Sequence, residues 1–353
     1  MTDFGTGLVV GKFCPLHRGH QRILDQAGAQ CRRLVIVSYT KPEFAGMGPE
    51  QRERWLEALY PDAVRLVVDD ERLAEHCRRR DIEARPIPDN GAPDEAHRSF
   101  TAWLLRAILS IDVDAVFTSE DYGDGFADYL GQAQSNHGGP PVVHVPVDPP
   151  RSYVPVSGAM VRPDLHLYRN SIDPIVYRDF VQRVALLGGE STGKSTMAEL
   201  LAGNLRTVHA AEYGRELWEK RGGALVEADM LEIARVQVAR EESLAGTANR
   251  FLICDTTPLT TMLYSQAMFG SVSPELKRLA GRPYDLILLC APDTPFVQDG
   301  TRRGENFRQW QHEWYVHELE GRGIDYVLLK GSRQQRVSEV GDALCKLGRP
   351  LPD

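Results

Sequence analysis

Two segments of this sequence combine glycines with side chains that bind phosphate. The first is Gly11-Lys-Phe-Cys-Pro-Leu-His-Arg-Gly-His20, and the second is Gly188-Gly-Glu-Ser-Thr-Gly-Lys-Ser195. Each follows a short apolar run and precedes a helical pattern, the setting in which backbone N–H groups at a helix N-terminus bind phosphate. One segment is built on histidines and the other on a lysine and a hydroxyl. The sequence therefore predicts two different ATP sites and two consecutive reactions.

The histidine segment has the side chains that transfer of a nucleotidyl group requires. In such a transfer an acceptor phosphate attacks the α-phosphorus of ATP and pyrophosphate leaves, so the enzyme needs donors placed along the triphosphate. His17 and His20, three residues apart at a helix start, would share one face. A bare His-x-x-His pair could also be a metal pair or two surface histidines. The full ten-residue pattern after a strand is more specific, because it resembles the signature of the nucleotidyltransferase superfamily, Gly-x-Phe-x-Pro-x-His-x-Gly-His. The predicted catalytic residues are His17, His20 and Lys12, and the ATP-binding residues are Gly11, Phe13 and Gly19.

A third segment, Ser157-Gly-Ala-Met-Val-Arg162, opens a short predicted helix at the end of the first half. It resembles the second element of the same superfamily, a Ser-x-x-x-x-Arg segment that opens a helix, and this resemblance implies the two roles that follow. We predict that Ser157 is the N-cap and donates a hydrogen bond to phosphate, although an ordinary helix cap is the alternative. Arg162 is predicted to clamp the β- and γ-phosphates.

The lysine segment matches the P-loop pattern Gly-x-x-x-x-Gly-Lys-Ser in full. In this pattern the backbone N–H groups surround the phosphates, Lys194 reaches the β- and γ-oxygens, and the Ser195 hydroxyl ligates Mg²⁺. The pattern indicates a nucleoside triphosphate site but does not by itself indicate a kinase. The predicted ATP-binding residues are Gly188, Gly189, Glu190, Ser191, Thr192, Gly193, Lys194, Ser195 and Thr196.

Two acidic segments after the P-loop favour a kinase. The apolar run Phe251–Cys254 ends in Asp255, the arrangement that completes Mg²⁺ binding, or else Asp255 caps the next helix. Glu212 is predicted to orient and deprotonate an attacking hydroxyl, and Glu212 and Asp255 could exchange these roles. Tyr213 and Arg215 are predicted to bind substrate, although this segment could also be an exposed helix start.

Arginines on the segment Asp299–Arg303 are predicted to belong to a lid. Arg302 and Arg303 would bind ATP when the lid closes over the transferring phosphoryl group, unless the segment is a solvated loop. This half lacks an obvious basic groove, so we expect neither an AAA machine nor a helicase.

Short apolar runs alternate with amphipathic helical patterns along both halves, which predicts parallel sheets covered by helices. The fold class is therefore α/β. A Rossmann-like nucleotidyltransferase sheet is expected over residues 1–170, a link over 171–182 and a P-loop kinase domain over 183–353. The strands are predicted at Leu8–Gly11, Leu34–Tyr39, Val64–Val68, Ala115–Thr118, Val142–Val145, Val184–Leu187, Thr207–Ala210, Phe251–Cys254, Leu286–Cys290 and Tyr326–Leu329, and helices at Arg18–Cys31, Pro49–Leu59, Asp94–Leu109 and Ser195–Leu205.

The composition is that of a globular protein with two domains. The chain has 353 residues, 42% apolar and 25% charged, with a net charge of -8. We expect no nucleic-acid partner because the chain has no overall basic field. We also expect no signal peptide and no membrane span, since no apolar stretch approaches the ~18–20 residues that a span needs. The six scattered cysteines indicate reduced thiols and a cytoplasmic protein.

Together these motifs resemble the NadR family of bifunctional nicotinamide-mononucleotide adenylyltransferases and ribosylnicotinamide kinases. The likeness covers nearly the whole chain. Besides the segments above, it includes Tyr39–Met47, Thr118–Glu120, Glu212–Glu216 and Asp255-Thr256. Longer family members begin with a helix-turn-helix domain. Here the first strand starts near residue 8, so we expect no sequence-specific DNA binding.

The resemblance implies two steps that use Mg²⁺ and ATP. The second half would phosphorylate nicotinamide riboside to nicotinamide mononucleotide (NMN), and the first half would join NMN to the AMP part of ATP, giving NAD. It also implies that Trp103 stacks on the nicotinamide ring, with core packing as the alternative. Two other functions stay open: a similar pair of enzymes acting on another vitamin-derived acceptor, and a module that senses ATP or NAD with a non-catalytic kinase half. A homo-oligomer also stays open.

Overall fold

The computed structural model describes residues 4–300 and 302–347, and these form two compact units that divide between Tyr177 and Arg178. We refer to them as unit 1 and unit 2. Each unit is built around its own parallel five-stranded sheet. The predicted α/β fold class is therefore confirmed for both halves.

Unit 1 alternates strands and helices from its first strand onward. Its strands are β1 (Phe4–Val10), β2 (Cys31–Tyr39), β3 (Val64–Val68), β4 (Ala115–Thr118) and β5 (Val143–Pro146). Its helices are α1 (Arg18–Gln30), α2 (Pro49–Leu59), α3 (Asp70–Arg78), α4 (Asp94–Trp103), α5 (Gly123–Ser135), α6 (Gly158–Val161) and α7 (Pro174–Tyr177), with a π-helix at Leu104–Leu109 and 3-10 turns at Arg162–Asp164 and Arg169–Ser171.

The strand order of unit 1 is β3-β2-β1-β4-β5, and every pairing is parallel. In this order the chain first builds outward from β1 on one side and then returns to build on the other. Ligands bind at such a reversal, beside the carboxyl ends of the strands. The histidine segment begins at this point, directly after β1. Leu8 and Val9, adjacent in β1, are 0% and 2% exposed, so both faces of the sheet are covered.

Unit 2 repeats the alternation with different elements. Its strands are β6 (Gln182–Gly188), β7 (His209–Ala210), β8 (Phe251–Asp255), β9 (Leu286–Cys290) and β10 (Val327–Leu329). Its helices are α8 (Lys194–Leu205), α9 (Tyr213–Lys220), α10 (Glu227–Ala245), α11 (Pro258–Phe269), α12 (Pro274–Ala280), α13 (Glu305–Gly321) and α14 (Arg333–Leu347), with a 3-10 turn at Arg178–Phe180.

The strand order of unit 2 is β10-β9-β6-β8-β7, again parallel throughout. The central strand β6 divides its side chains between two cores because successive residues of a strand face opposite ways. Ala185 and Leu187 enter one hydrophobic cluster, and Val184 and Leu186 enter the other. The P-loop leaves the carboxyl end of this central strand.

Several predicted elements differ from the structure at their ends, and three differences change the type of structure at the predicted residues. The helix predicted over Asp94–Leu109 is α-helical only to Trp103 and continues as the π-helix, which ends where Ser110 adopts a φ of 55°. The strand predicted at Thr207–Ala210 keeps only two residues, since the Thr207 amide donates to Ala202 and closes the end of α8. Cys31, predicted to end the first helix, begins β2.

Candidate active sites

The histidine loop of unit 1, Gly11–His20, runs from the end of β1 into α1. His17 is the N-cap of α1, and the two histidines form a capping box. The Nδ1 atom of His17 accepts a hydrogen bond from the His20 amide at 3.3 Å, and His20 Nδ1 accepts from the His17 amide at 3.5 Å. The sequence prediction that both side chains share one face is consistent with their stacked rings, whose centroids are 3.7 Å apart.

This capping arrangement sets the tautomer of the two rings. Because each Nδ1 accepts from an N–H group, each neutral ring carries its proton on Nε2. Burial, and then Arg151 and Arg162, lower the pKa of His17 to about 4, and burial followed by His17 lowers the pKa of His20. His17 Nε2 is buried and has no hydrogen-bond partner in the described part of the chain. Both histidines are therefore neutral Nε2–H donors at pH 7.

The backbone of the histidine loop is crowded where it turns. Phe13 adopts a φ of 50°, in the left-handed region. A Cβ atom on Gly19 would lie 3.0 Å from the His17 ring, so a larger residue would push against the imidazole. These constraints keep the two rings and the loop backbone close together.

Three cationic side chains surround the histidines. The Lys12 ammonium donates to the Asn90 carbonyl at 3.2 Å, and burial, followed by Arg162, lowers the pKa of Lys12. Arg162 donates to the Cys14 carbonyl at 2.9 Å, which ties the third segment to the histidine loop. Arg151, which the sequence analysis did not single out, forms an ion pair with Glu120.

Ser157 is the N-cap of α6, as predicted, and its hydroxyl accepts from the Met160 amide at 3.3 Å. The structure thus brings Ser157 and Arg162 to the histidine loop. Their contacts with ATP stay a prediction.

The described residues enclose a cavity of about 430 Å³ beside this loop. The predicted residues Gly11, Lys12, Phe13, His17, Gly19, His20, Ser157 and Arg162 all line it. Trp103 does not line this cavity but stacks on Phe100 at 5.7 Å, with the Arg85 guanidinium 5.6 Å from its ring. Its role at the nicotinamide ring stays a prediction without support from this position.

The cavity lining of unit 1 also includes residues without an assigned role in the sequence analysis. Tyr39 and Thr118 stand at the carboxyl ends of β2 and β4, a position that the strand pattern indicates. His97, hydrogen-bonded to the Tyr39 hydroxyl at 3.1 Å, and Arg151 also line the cavity. No pattern in the sequence marks these last two residues.

In unit 2 the P-loop follows β6 and leads into α8. Gly188 has a φ of 142°, and a Cβ atom there would lie 2.8 Å from the Cys290 carbonyl oxygen, so only glycine fits. Lys194 and Thr192 both donate to the Gly189 carbonyl, at 2.9 and 2.8 Å. The first turn of α8 exposes Ser195 and Thr196.

The two predicted acids stand beside the P-loop. Asp255 ends β8, which pairs directly with β6, and Glu212 is the N-cap of α9. Burial raises the pKa of Glu212, Lys194 lowers it, and Asp255 raises it again, so the three groups share one electrostatic environment. Asp255 is 3% exposed, and its Oδ1 has no hydrogen-bond partner among the residues described.

The residue after Asp255 is strained. Thr256 has a φ of 80°, which is unusual for a β-branched residue, and its buried hydroxyl lacks a partner within the described ranges. Such strain is concentrated at functional sites. Within residues 4–300 and 302–347, no cluster of three or more His, Cys, Asp or Glu side chains could hold a metal ion.

The arginine segment lies against the P-loop. Glu190 accepts from the Arg303 amide at 2.7 Å and from the Tyr264 hydroxyl at 3.0 Å, while the Ser191 hydroxyl accepts from the Val297 amide at 2.9 Å. Arg302 pairs with Asp299 at 3.0 Å. Thr301 lies outside the described residues. The predicted lid thus contacts the P-loop through backbone groups, with Arg302 and Arg303 at the edge of the cavity.

A second cavity, of about 480 Å³, opens beside the P-loop. The site residues predicted from the sequence that line this cavity are Gly188, Glu190, Ser191, Lys194, Glu212, Arg215, Arg302 and Arg303. Tyr213 is not in the lining, because its hydroxyl donates to Glu232 and its ring lies under Arg240. Trp218 and Tyr264 line the cavity on separate helices, and no local sequence pattern marks them because only the fold brings them together.

Sequence comparison finds curated relatives over most of the chain. A protein described as the trifunctional NAD biosynthesis/regulator protein NadR of Escherichia coli is 29% identical over 316 residues, which cover 84% of this chain and 71% of that protein. The protein of the same description from Salmonella typhimurium is 29% identical over 308 residues, with the same coverage.

Comparison with solved structures also finds NadR proteins, here by similarity of fold. The crystal structure of a NadR protein in complex with NR matches with a TM-score of 0.68 at 20% identity, over 99% of this chain and 98% of that one. A crystal structure of a NadR protein in complex with NAD and AMP-PNP matches with a TM-score of 0.67, also at 20% identity and over the same shares. The chain is a homologue of the NadR proteins.

One family model also matches the second half of this NadR homologue. A model described as an AAA domain covers residues 183–336. We expected no AAA machine from the sequence, and this match is a likeness of the P-loop half to an AAA domain. The matched residues include the P-loop and Asp255, the parts that bind nucleotide in such domains.

No helix in the described part of the chain is long and apolar enough to cross a membrane.

Proposed function

We propose that this NadR homologue makes NAD from nicotinamide riboside in two ATP-dependent steps. Unit 2 would phosphorylate the 5′-hydroxyl of nicotinamide riboside, and unit 1 would adenylylate the resulting NMN, releasing pyrophosphate. The observation that carries the proposal is that each unit has its own cavity, one beside a pair of neutral histidines and the other beside a P-loop flanked by two acids, Glu212 and the buried Asp255. The ligands of the solved NadR structures, NR in one and NAD with AMP-PNP in the other, support it.

In the kinase step the riboside hydroxyl attacks the γ-phosphorus of ATP and ADP leaves. Glu212 would take the hydroxyl proton, and its raised pKa suits a proton acceptor. Lys194 would exchange its bond to the Gly189 carbonyl for the β- and γ-phosphates. Ser195 and Asp255 would hold Mg²⁺, and the unpartnered Oδ1 of Asp255 is an oxygen ligand that fits this ion. When bound, Mg²⁺ neutralises phosphate charge.

The cavity of unit 2 has aromatic side chains suited to a cationic ring. Nicotinamide riboside carries its positive charge on the pyridinium ring. The faces of Trp218 and Tyr264, which line the cavity, attract such a charge. Arg215 lies in the same lining, close to Glu212 at 3.8 Å, where it would bind substrate or phosphate oxygens.

In the transferase step a phosphate oxygen of NMN attacks the α-phosphorus of ATP, and the bond to the β-phosphate oxygen breaks. No proton has to be removed from the attacking phosphate, so positioning and charge stabilisation supply the catalysis. The Nε2–H groups of His17 and His20 would donate to the phosphate oxygens. Lys12, Arg162 and Ser157 would bind the β- and γ-phosphates that leave as pyrophosphate.

Two substitutions test whether each unit catalyses its own step. Purified protein is incubated with Mg²⁺, ATP and nicotinamide riboside, and NMN, NAD, ADP and pyrophosphate are followed by chromatography. Lys194→Ala should abolish NMN formation yet still convert added NMN to NAD. His20→Ala should accumulate NMN and lower the rate of NAD formation by about 100-fold or more, as expected for a lost transition-state donor.

Matched controls are available in each unit. Lys277→Ala on α12 and His137→Ala after α5 replace the same residue types away from both cavities, and should leave both rates unchanged. The proposal is wrong if the wild-type protein forms neither NMN nor NAD. It is also wrong if either active-site substitution removes both activities from a folded protein.

A further inference from the structure

Arg52 is a fully buried arginine beneath the histidine loop of unit 1. It lies on α2, its side chain is 0% exposed, and it is outside the lining of the cavity. Transfer of an isolated cation from water into the protein interior is strongly unfavourable. A methionine could fill a similar volume without this cost, so packing alone does not explain an arginine here.

The guanidinium makes directional contacts with two different elements. Its Nη2 donates to both carboxylate oxygens of Glu43, at 2.9 and 3.1 Å. Its Nη1 donates to the Ser38 hydroxyl at 3.0 Å and to the Lys12 carbonyl at 3.4 Å. Glu43 is held in turn by the Thr40 hydroxyl at 2.9 Å. One planar side chain thus links the 40–43 segment to the end of β2 and to the histidine loop.

The Lys12 carbonyl is the point where these contacts meet the loop. It accepts from the Ser38 hydroxyl at 3.2 Å and from the Cys14 thiol at 3.1 Å, in addition to Arg52. The next residue, Phe13, has its left-handed φ of 50°. The peptide between Lys12 and Phe13 is therefore held by three donors to its carbonyl oxygen, and both residues line the cavity.

We propose that Arg52, oriented by Glu43, is a positioning residue for the transferase reaction: it fixes the Lys12–Cys14 backbone in the position that binds the triphosphate of ATP. This inference rests on the function proposed for unit 1. Arg52 does not touch substrate and acts through the loop. A misplacement of about 1 Å in such a loop is enough to lower the rate about 100-fold.

The kinetic test compares Arg52→Lys and Arg52→Met with the wild type in NAD formation from NMN. Arg52→Met should raise the KM for ATP and lower kcat/KM for ATP by about 10- to 100-fold. Arg52→Lys should lose less, since lysine keeps the charge and part of the bonding. A purely structural role would lower the amount of active protein, and hence kcat, with no change in KM. Phosphorylation of nicotinamide riboside by the same samples reports on unit 2 and should be unchanged.

Arg65 provides the matched control. It is also largely buried in unit 1 and donates to three backbone carbonyls, but these belong to residues 60, 61 and 63, away from the histidine loop. Arg65→Met should leave the KM for ATP at its wild-type value. An unchanged KM in Arg52→Met and Arg52→Lys, or an equal rise in Arg65→Met, would overturn the proposal.

Hydrogen exchange tests the same inference without any catalytic activity. The Gly11 amide donates to the Val37 carbonyl at 3.0 Å, so exchange in a peptide covering residues 8–16 reports on the loop. This peptide should exchange faster in Arg52→Lys than in the wild type and at the wild-type rate in Arg65→Met. Unchanged exchange in Arg52→Lys would contradict the inference. If the wild type forms no NAD, the proposed function fails, while the exchange result still decides the role of Arg52.

Discussion

At the scale of single residues, the histidine pair is a helix cap that we propose also serves in catalysis. The Nδ1 atoms close the start of α1, and the Nε2–H groups would donate to phosphate in the proposed reaction. A charged imidazolium would have to be buried between Arg151 and Arg162, which is why the pKa of His17 falls to about 4. In the proposed reaction the site would use neutral histidine donors, and its lysine and arginines would supply the positive charge.

The lowered pKa of His17 predicts how the stability of unit 1 changes with pH. The unfolded chain binds a proton on His17 below about pH 6.5 while the folded protein does so only near pH 4, so acid favours unfolding across that interval. Between pH 7 and pH 5 the wild type should lose about 2 kcal/mol more stability in unit 1 than His17→Asn, whose side chain still caps the helix. Denaturant titrations followed by hydrogen exchange in residues 4–177 measure this difference. Equal losses in the two proteins would show that His17 does not titrate with a lowered pKa.

At the scale of secondary-structure elements, both candidate sites follow the same rule: the loop predicted to bind phosphate leaves the central strand of a parallel sheet where the strand order reverses. The apolar runs and helical patterns placed β3, β4, β9 and α2 with the bounds later found in the structure. Strand-end positions such as Asp255 followed from the same alternation. The regular spacing of buried residues makes these elements predictable from sequence.

Contacts between distant segments were not predictable in this way. Trp218 and Tyr264 meet in one cavity because α9 and α11 pack around the same sheet, and no local pattern reports that. The contacts of Trp103 with Phe100 and Arg85 also follow only from the fold, and its stacking on the nicotinamide ring stays a prediction. The helical pattern over Pro49–Leu59 does not mark Arg52 as a buried residue, although its side chain is completely buried.

The arginine segment gives a prediction at this scale. Glu190 holds the Arg303 amide, so Glu190→Ala should free residues 297–303 from the P-loop in the absence of nucleotide. Limited trypsin digestion should then cleave after Arg302 or Arg303 several-fold faster, because cleavage follows the open population. Glu199→Ala on α8 removes a carboxylate that does not contact the segment and serves as the control. Equal cleavage rates in all three proteins would mean that Glu190 does not hold the segment closed.

At the scale of the whole molecule, the two sites imply an order opposite to their order in the chain. The P-loop of unit 2 would create a phosphate on the riboside, and the histidine loop of unit 1 would use that phosphate to attack ATP. Each NAD made from nicotinamide riboside would then consume two ATP molecules, one cleaved at the γ-phosphate and one at the α-phosphate.

The origin of the two phosphates in NAD tests this claim most directly. The protein is incubated with unlabelled nicotinamide riboside and ATP labelled with ³²P at either the γ- or the α-position, and the purified NAD is cleaved into NMN and AMP. We predict that the γ-label appears only in the NMN half and the α-label only in the AMP half. NAD without γ-label, or with α-label in its NMN half, would contradict a kinase step followed by an adenylyl transfer.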